Sequence, residues 1–344
     1  MATIRTIAEE SGVSISAVSR ILNGKEVRVS EETRLKVMEV AARHHYKANH
    51  AASTLKTSRT GMIAIIIPFA HIDFFSQFLF HLEASCQEAG YIPLVINTND
   101  DIELETKALE LAMAGVVDGL IISPQSSHIN NDTFREISRS GIPMVFADRR
   151  IPGLGIASVT TDNYHAGYEA TRRLTAAGCR NLLFLYRAGM PESSILTDRR
   201  DGFSAAVFDD DDEETSGRVA AFPYHRAVEG ITRILKENPG VDGIFSLSTA
   251  DLVHVYRACR KAEVPAGRLV FAGFDEFSIP FQELREHSSL DYLNRPHFIV
   301  RQNVKEMATR SVRCLVSAIR GGEPGTDTLL DFEIIPDEPE RRII

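Results

Sequence analysis

Tryptophan is absent from the 344 residues, so any aromatic stacking in a binding site falls to Phe or Tyr. Cysteine is sparse. Cys86, Cys179, Cys259 and Cys314 lie far apart and form neither a CxxC pair nor a metal-ligand spacing, which suits reduced thiols in the cytoplasm. No apolar run reaches the roughly 18 residues that span a bilayer. The longest, "MIAIIIPFA" at 62–70, has the length of a buried strand. The start, "MATIRTIAEE", has no apolar core of a signal peptide. Nothing matches GxSxG, a P-loop or HExxH, and "GLG" at 153–155 is too incomplete for a dinucleotide fingerprint. The 11 His are scattered. These absences argue against an enzyme and a membrane protein, and they leave no catalytic residue, metal or cofactor to expect.

Charge is present but unevenly placed. The chain carries 38 Lys/Arg and 47 Asp/Glu, a formal net charge of −9. Residues 1–60 hold ten Lys/Arg and six Asp/Glu, or +4, which leaves −13 for the remainder. A basic head on an acidic body suggests that the head alone meets a polyanion. The run "DDDDEE" at 209–214 repels itself and reads as a solvated loop.

The head has the spacing of three short helices. Ile4, Ile7 and Ala8 make one apolar stripe that ends near Gly12. Ser14 then caps a second helix within "VSISAVSRILNGK" (13–25), whose Val18, Ile21 and Leu22 face one way. Gly24 suits its end, and Ser30 before Glu31 and Glu32 opens a third helix with Val37, Val40 and Ala41 inward. Helix, tight turn, helix and packing helix is the helix-turn-helix arrangement. Its second helix holds Ile15, Ser16, Ser19 and Arg20 away from the apolar stripe, on a face shaped for the major groove. Arg suits a guanine edge or a phosphate, Ser suits either, and Ile suits a thymine methyl. Residues 46–60 form a polar link with small Ala51, Ala52 and Ser53, long enough for one or two helical turns.

The body alternates strands with helices. Strand-like runs fall at 62–68, 91–97, 119–123, 144–148, 158–161, 182–186, 243–248 and 269–274. Helical patterns between them include 74–89, 103–114, 163–177, 224–238 and 249–263. That order demands parallel sheets covered on both faces. Ligands of such sheets sit at the carboxyl ends of strands. The residues expected there are Phe74, Phe75, Asp148, Arg149, Glu192, Ser193, Arg199, Ser248, Asp275 and Arg295.

"TIRTIAEESGVSISAVSRILNG", "VSEETRLKV" and "LKTSRTGMIAIIIP" resemble the LacI family of sugar-responsive bacterial transcription regulators, and the resemblance runs from residue 3 to about 335. It implies an α/β protein. A helix-turn-helix head (1–46) and a hinge helix (47–60) lead into two doubly wound parallel-sheet subdomains of periplasmic-binding-protein type, 61–160 with 292–320 and 161–291 with 321–335. It also implies a homodimer on double-stranded operator DNA, with no membrane. Ile15, Ser16 and Arg20 match base-reading positions. Thr3, Ser14, Ser19, Asn23 and Ala52 join them as expected contacts, and Leu55 matches a residue wedged between base pairs. Ala48 stands where a Pro is usual.

The same resemblance assigns Asp148, Arg199 and Asp275 to sugar hydroxyls. Many members carry an Asn-Asp pair at Ser248-Thr249 and a Gln at Arg295, and both are missing at those positions. "PESSILTDRRDGF", "SLSTAD" and "NRP" are similar to the fructose and sucrose regulators. The expected effector is therefore fructose 1-phosphate or a fructose-like sugar, with Arg295 and Ser193 toward the phosphate. The competing arrangement pairs Arg295 with Glu192 and leaves a neutral sugar. A sugar-binding transport protein or an α/β enzyme without DNA function is the alternative for the whole chain.

Overall fold

The computed structural model describes residues 2–22, 26–46, 59–209, 220–224, 226–265, 267–275, 297–323 and 325–337. Met1–Thr60 and Gly61–Ile344 form separate compact units.

The head holds α1 (Ile4–Ser11), α2 (Ile15–Leu22) and α3 (Glu31–Arg43). Thr3 caps α1 by accepting from the Thr6 N–H, and Gly12 ends it in a left-handed conformation, φ 74°. The Ser14 hydroxyl accepts from the Ala17 N–H at 3.2 Å and starts α2, and Ser30 does the same for α3 through Thr33 at 3.1 Å. Each such cap satisfies a donor that the helix itself leaves open. Ile7, Ala8, Val18, Ile21, Val37, Val40 and Ala41 close a single small core. Fully burying a side chain of this size contributes about 1.5–3 kcal/mol, so these few contacts carry most of the head's cohesion.

Among the described residues the body has two six-stranded sheets. Apolar runs buried on both faces, such as "MIAIII" in β1 (Met62–Ile67), are what parallel sheets need. Within β1, Ile63, Ile65 and Ile67 enter one cluster, while Ala64 and Ile66 enter the cluster on the opposite face. After β1 come α4 (Asp73–Glu88), β2 (Ile92–Asn97), α5 (Ile102–Met113), β3 (Gly119–Ile122), α6 (Asn131–Arg139), β4 (Met144–Ala147) and β5 (Ser158–Thr161). The second half runs through α7 (Asn163–Ala176), β6 (Leu182–Arg187), α8 (Ser194–Phe208), β7 (Ala220–Tyr224), α9 (Ala227–Glu237) and β8 (Gly243–Ser246). A short 3-10 turn (Thr249–Asp251), α10 (Leu252–Lys261) and β9 (Val270–Phe274) follow. The chain ends through β10 (His297–Gln302), α11 (Val304–Ile319), β11 (Thr328–Leu330) and β12 (Phe332–Asp337).

The first sheet has the order β11-β5-β4-β3-β1-β2 and the second β12-β10-β9-β8-β6-β7. Among the described residues all pairings are parallel except β10 with β12. This corrects the assignment of the returning segments. β10, expected within 292–320 of the first half, pairs with β9 of the second sheet, and the chain crosses only after Gln302. α11 then joins the first half by burying Met307, Val312 and Leu315 beside Ile65 and Phe78. β11, expected in the second half, pairs with β5. The strands themselves start or end within about two residues of the expected runs. β7, β10, β11 and β12 add to them.

Candidate effector cleft and DNA-reading helix

The carboxyl ends of the strands bring four charged side chains together. Asp148 follows β4 in a left-handed conformation, φ 65°, and is 3% exposed. Its Oδ2 accepts from the Ser123 hydroxyl at 3.0 Å and lies 3.8 Å from Arg149 Nε. Asp275 follows β9, also left-handed at φ 69°, and its Oδ1 accepts from Gln302 Nε2 at 2.8 Å. The Thr249 hydroxyl donates to the Asp275 carbonyl.

Arg199, on α8, is buried within electrostatic reach of both carboxylates. Its Nε donates to Asn163 Oδ1 and its Nη1 to the Leu247 carbonyl, each at 2.8 Å, and its guanidinium lies 3.3 Å above the Phe274 ring. Two glycines bring it there. A Cβ on Gly202 would stand 2.0 Å from the Tyr164 carbonyl, and one on Gly167 would stand 2.6 Å from the Arg199 carbonyl, so α7 and α8 approach with no room for a methyl group.

Burial dominates the electrostatics. It pushes the Asp275 carboxyl up to about 6, against the pull of Arg199 and the Gln302 bond. Asp148 is raised for the same reason, and Arg199 is lowered to about 10. Arg149, Arg199, Asp148 and Asp275 sum to zero formal charge. Such a neutral, alternating cluster offers paired acceptors and planar donors to a polyhydroxylated ligand. Removing one member would leave its partner buried and uncompensated.

The loops of the two halves also touch. Ser127 N–H donates to the Glu192 carbonyl at 2.8 Å, Arg150 N–H to Ser194 Oγ at 3.0 Å, and Arg150 Nη2 to Asp198 Oδ2 at 3.0 Å. A cavity of about 550 Å³ is lined by Phe74, Gln77, His81, Asp275, Gln302 and Asp331, among others.

In the head, Ile15, Ser16 and Arg20 are exposed on α2, and Ser19 is half-buried. Arg20 Nε donates to the Glu26 carbonyl at 2.9 Å, which fixes the direction of the guanidinium. Thr3 and Ser14 are exposed at the starts of α1 and α2.

Residues 3–49 match the family of bacterial regulatory proteins called lacI, and residues 63–323 match the periplasmic binding protein domain. The chain belongs to the lacI family of bacterial regulatory proteins. A ribose operon repressor of Halalkalibacterium halodurans is 30% identical over 250 residues, 72% of each chain. The lac repressor dimer bound to operator and an anti-inducer has the same fold, with a TM-score of 0.77 at 18% identity over 98% of this chain and 99% of that one. The Cra regulator of Pseudomonas putida, in complex with fructose 1-phosphate, gives 0.66 at 20% identity over 81% and 99%.

In this lacI-family chain Asp148, Arg149, Arg199 and Asp275 converge, and Ser193 stands just before α8, beside the contacts between the halves, with no capping bond from its hydroxyl. Ser248 is half-buried after β8. Phe74 and Phe75 are corrected in part. Both rings enter the core with Ile63, Phe78 and Leu82, 5.0 Å from each other and edge-on, and of the two only Phe74 lines the cavity. Asn23, Ala52, Leu55 and Arg295 lie outside the described residues, as do the hinge from 47 to 58 and the run 210–214. The proposed Arg295 partner, Glu192, has His128 Nε2 at 3.5 Å.

Three neighbours of the charged cluster are absent from the residues expected there: Gln302, Asn163 and Ser123. Gln302 bridges the halves: its Oε1 accepts from the Thr161 hydroxyl at 2.6 Å while its Nε2 holds Asp275. A buried amide is thus present in the cleft at position 302, beside Asp275. Asn163 orients Arg199, and Ser123 orients Asp148. The available signal was position: Asn163 and Gln302 lie beside crossovers whose place the local pattern did not fix.

Proposed function

We propose that this chain is a sequence-specific transcription repressor that works in the cytoplasm as a homodimer on double-stranded operator DNA, and that a small sugar or sugar phosphate in the body cleft controls it. It has no enzymatic role. The observation that carries this reading is the pairing of an exposed Ile15, Ser16 and Arg20 on α2 with a buried cluster of Asp148, Arg199 and Asp275 in the body.

Arg20 grips a base edge or a phosphate, with its direction set by Glu26. Asp148, Asp275 and Arg199 hold ligand hydroxyls, while Arg149 and Ser193 suit an anionic end. Ser248 lines the same strand-end layer. The names of relatives, a ribose operon repressor and a regulator holding fructose 1-phosphate, support a sugar-type ligand. The working units are the head to residue 46, a hinge, and two body halves that exchange segments after Thr161, Gln302 and Leu330.

A thermal-shift screen of the full chain against pentoses, hexoses and their phosphates tests the ligand class. A ligand at 100 times its Kd stabilises by about 2.7 kcal/mol. Stabilisation by one such sugar is the expected result. Stabilisation only by amino acids or nucleobases contradicts it.

A further inference from the structure

The cleft charges continue beyond the four already described, and they alternate in sign. Arg187 closes β6 in the second half, and its Nη2 lies 3.4 Å from Asp100 Oδ2. Asp100 Oδ1 lies 3.9 Å from Arg149 Nη1 in the first half. Asp100 is therefore shared by two guanidinium groups, one from each half. The sharing is loose. Asp100 Oδ1 and Arg149 Nε are both buried and make no hydrogen bond among the described residues. The Ser193 hydroxyl, 2% exposed, is in the same condition. Arg149 and Ser193 are each one residue from the Arg150–Ser194 bond that joins the halves, so these unsatisfied donors sit at one seam.

The backbone presents Asp100 in an unusual way. Asn99 and Asp100 are consecutive left-handed residues, φ 51° and 60°. Asn and Asp tolerate this conformation better than most, yet two in a row still cost some energy. A carboxylate that accepts one long hydrogen bond, from Arg187 Nη2 at 3.4 Å, while its other oxygen accepts none among the described residues, is a weak counter-ion. A phosphate ester has three terminal oxygens and up to two charges, a better match than one carboxylate for two guanidinium groups and a hydroxyl.

We infer that Asp100 is a built-in counter-ion that an anionic ligand displaces, and that Arg149, Arg187 and the Ser193 hydroxyl form the subsite for a phosphate ester. This rests on the reading of the cleft as the effector site. Asp100 then sets selectivity: its charge opposes entry of phosphate, so only a ligand that also satisfies Asp148, Arg199 and Asp275 overcomes it. Arg187 is 54% exposed, which leaves the outer side of the subsite open to an arriving anion.

Calorimetry on the full chain tests this with fructose 1-phosphate, inorganic phosphate and fructose as probes at constant ionic strength. Asp100→Asn keeps the shape and removes the charge. It is expected to bind fructose 1-phosphate about tenfold tighter or more than the wild type, to bind inorganic phosphate measurably, and to leave fructose within about twofold. Arg187→Gln in the same background is expected to erase the gain. Binding of fructose 1-phosphate that is unchanged in Asp100→Asn overturns the inference. So does equal weakening of fructose and fructose 1-phosphate, which would make Asp100 an acceptor for ligand hydroxyls. Enhanced phosphate binding with no sugar binding upholds the anion subsite while removing the sugar reading. Sugar binding with no response to Asp100→Asn does the reverse. Circular dichroism of each variant fixes that all are folded.

Discussion

Asp275 joins the chemistry of the cleft to its pH behaviour. Its carboxyl, raised by burial to about 6, is mostly ionised at pH 7 and mostly neutral at pH 5. The neutral acid loses an acceptor and leaves Arg199 with a weaker partner. Effector affinity is therefore expected to fall as pH drops from 7 to 5, and Asp275→Asn is expected to flatten that slope. A slope of the same size in the variant would assign the titration to another group. The stability linkage has the opposite sense. Because the folded pKa is raised, this group's contribution is full below the unfolded value of about 4 and is lost as pH rises through about 6. Asp148 and Asp275 could be placed together from the sequence because an alternating strand and helix order puts strand ends on one side, whereas Arg199, inside α8, was assigned to the cleft by the family resemblance. Gln302 and Asn163 were not legible, since each acts through a partner that only the crossovers bring near. Phe75 misled because its position after a strand is compatible with either a cleft or a core, and packing against Phe74 and its neighbours decides for the core.

Helix contact is the determinant at the next scale. α7 and α8 meet where Gly167 faces the Arg199 backbone and Gly202 faces the Tyr164 carbonyl. Gly202→Ala places a methyl group against backbone, which cannot rotate aside as a side chain can. It is expected to destabilise the body by about 3 kcal/mol and to weaken effector binding as Arg199 shifts. Urea denaturation and calorimetry on the same preparation check both, and an unchanged midpoint would show that the helices part without cost. Most strands could be read from their apolar runs, such as Met62–Ile67 and Val270–Phe274. β10, "HFIVRQ", mixes apolar and charged residues, and β11 has three residues, too few to carry a pattern. The first half expected for α11 came from the family resemblance and not from the local pattern. Its apolar stripe says that it packs, and only the chain path after Gln302 says on which sheet.

The molecule as a whole is two compact units with opposite charge and different tasks, joined by a short link whose central residues lie outside those described. The central claim is that the head chooses a DNA sequence and that a ligand in the body changes the choice. The most direct measurement selects duplexes from a randomised pool with the full chain. It then follows binding to the enriched sequence by fluorescence anisotropy, with and without the sugar or sugar phosphate that raises the melting temperature. The expected result is a two-fold symmetric site. Its affinity should fall by about 1–3 kcal/mol per contacted half-site in Arg20→Ala, with less loss on random DNA, and should shift when the ligand is added. Enrichment of no sequence, or an affinity for the selected site that the ligand leaves unchanged, would contradict the account.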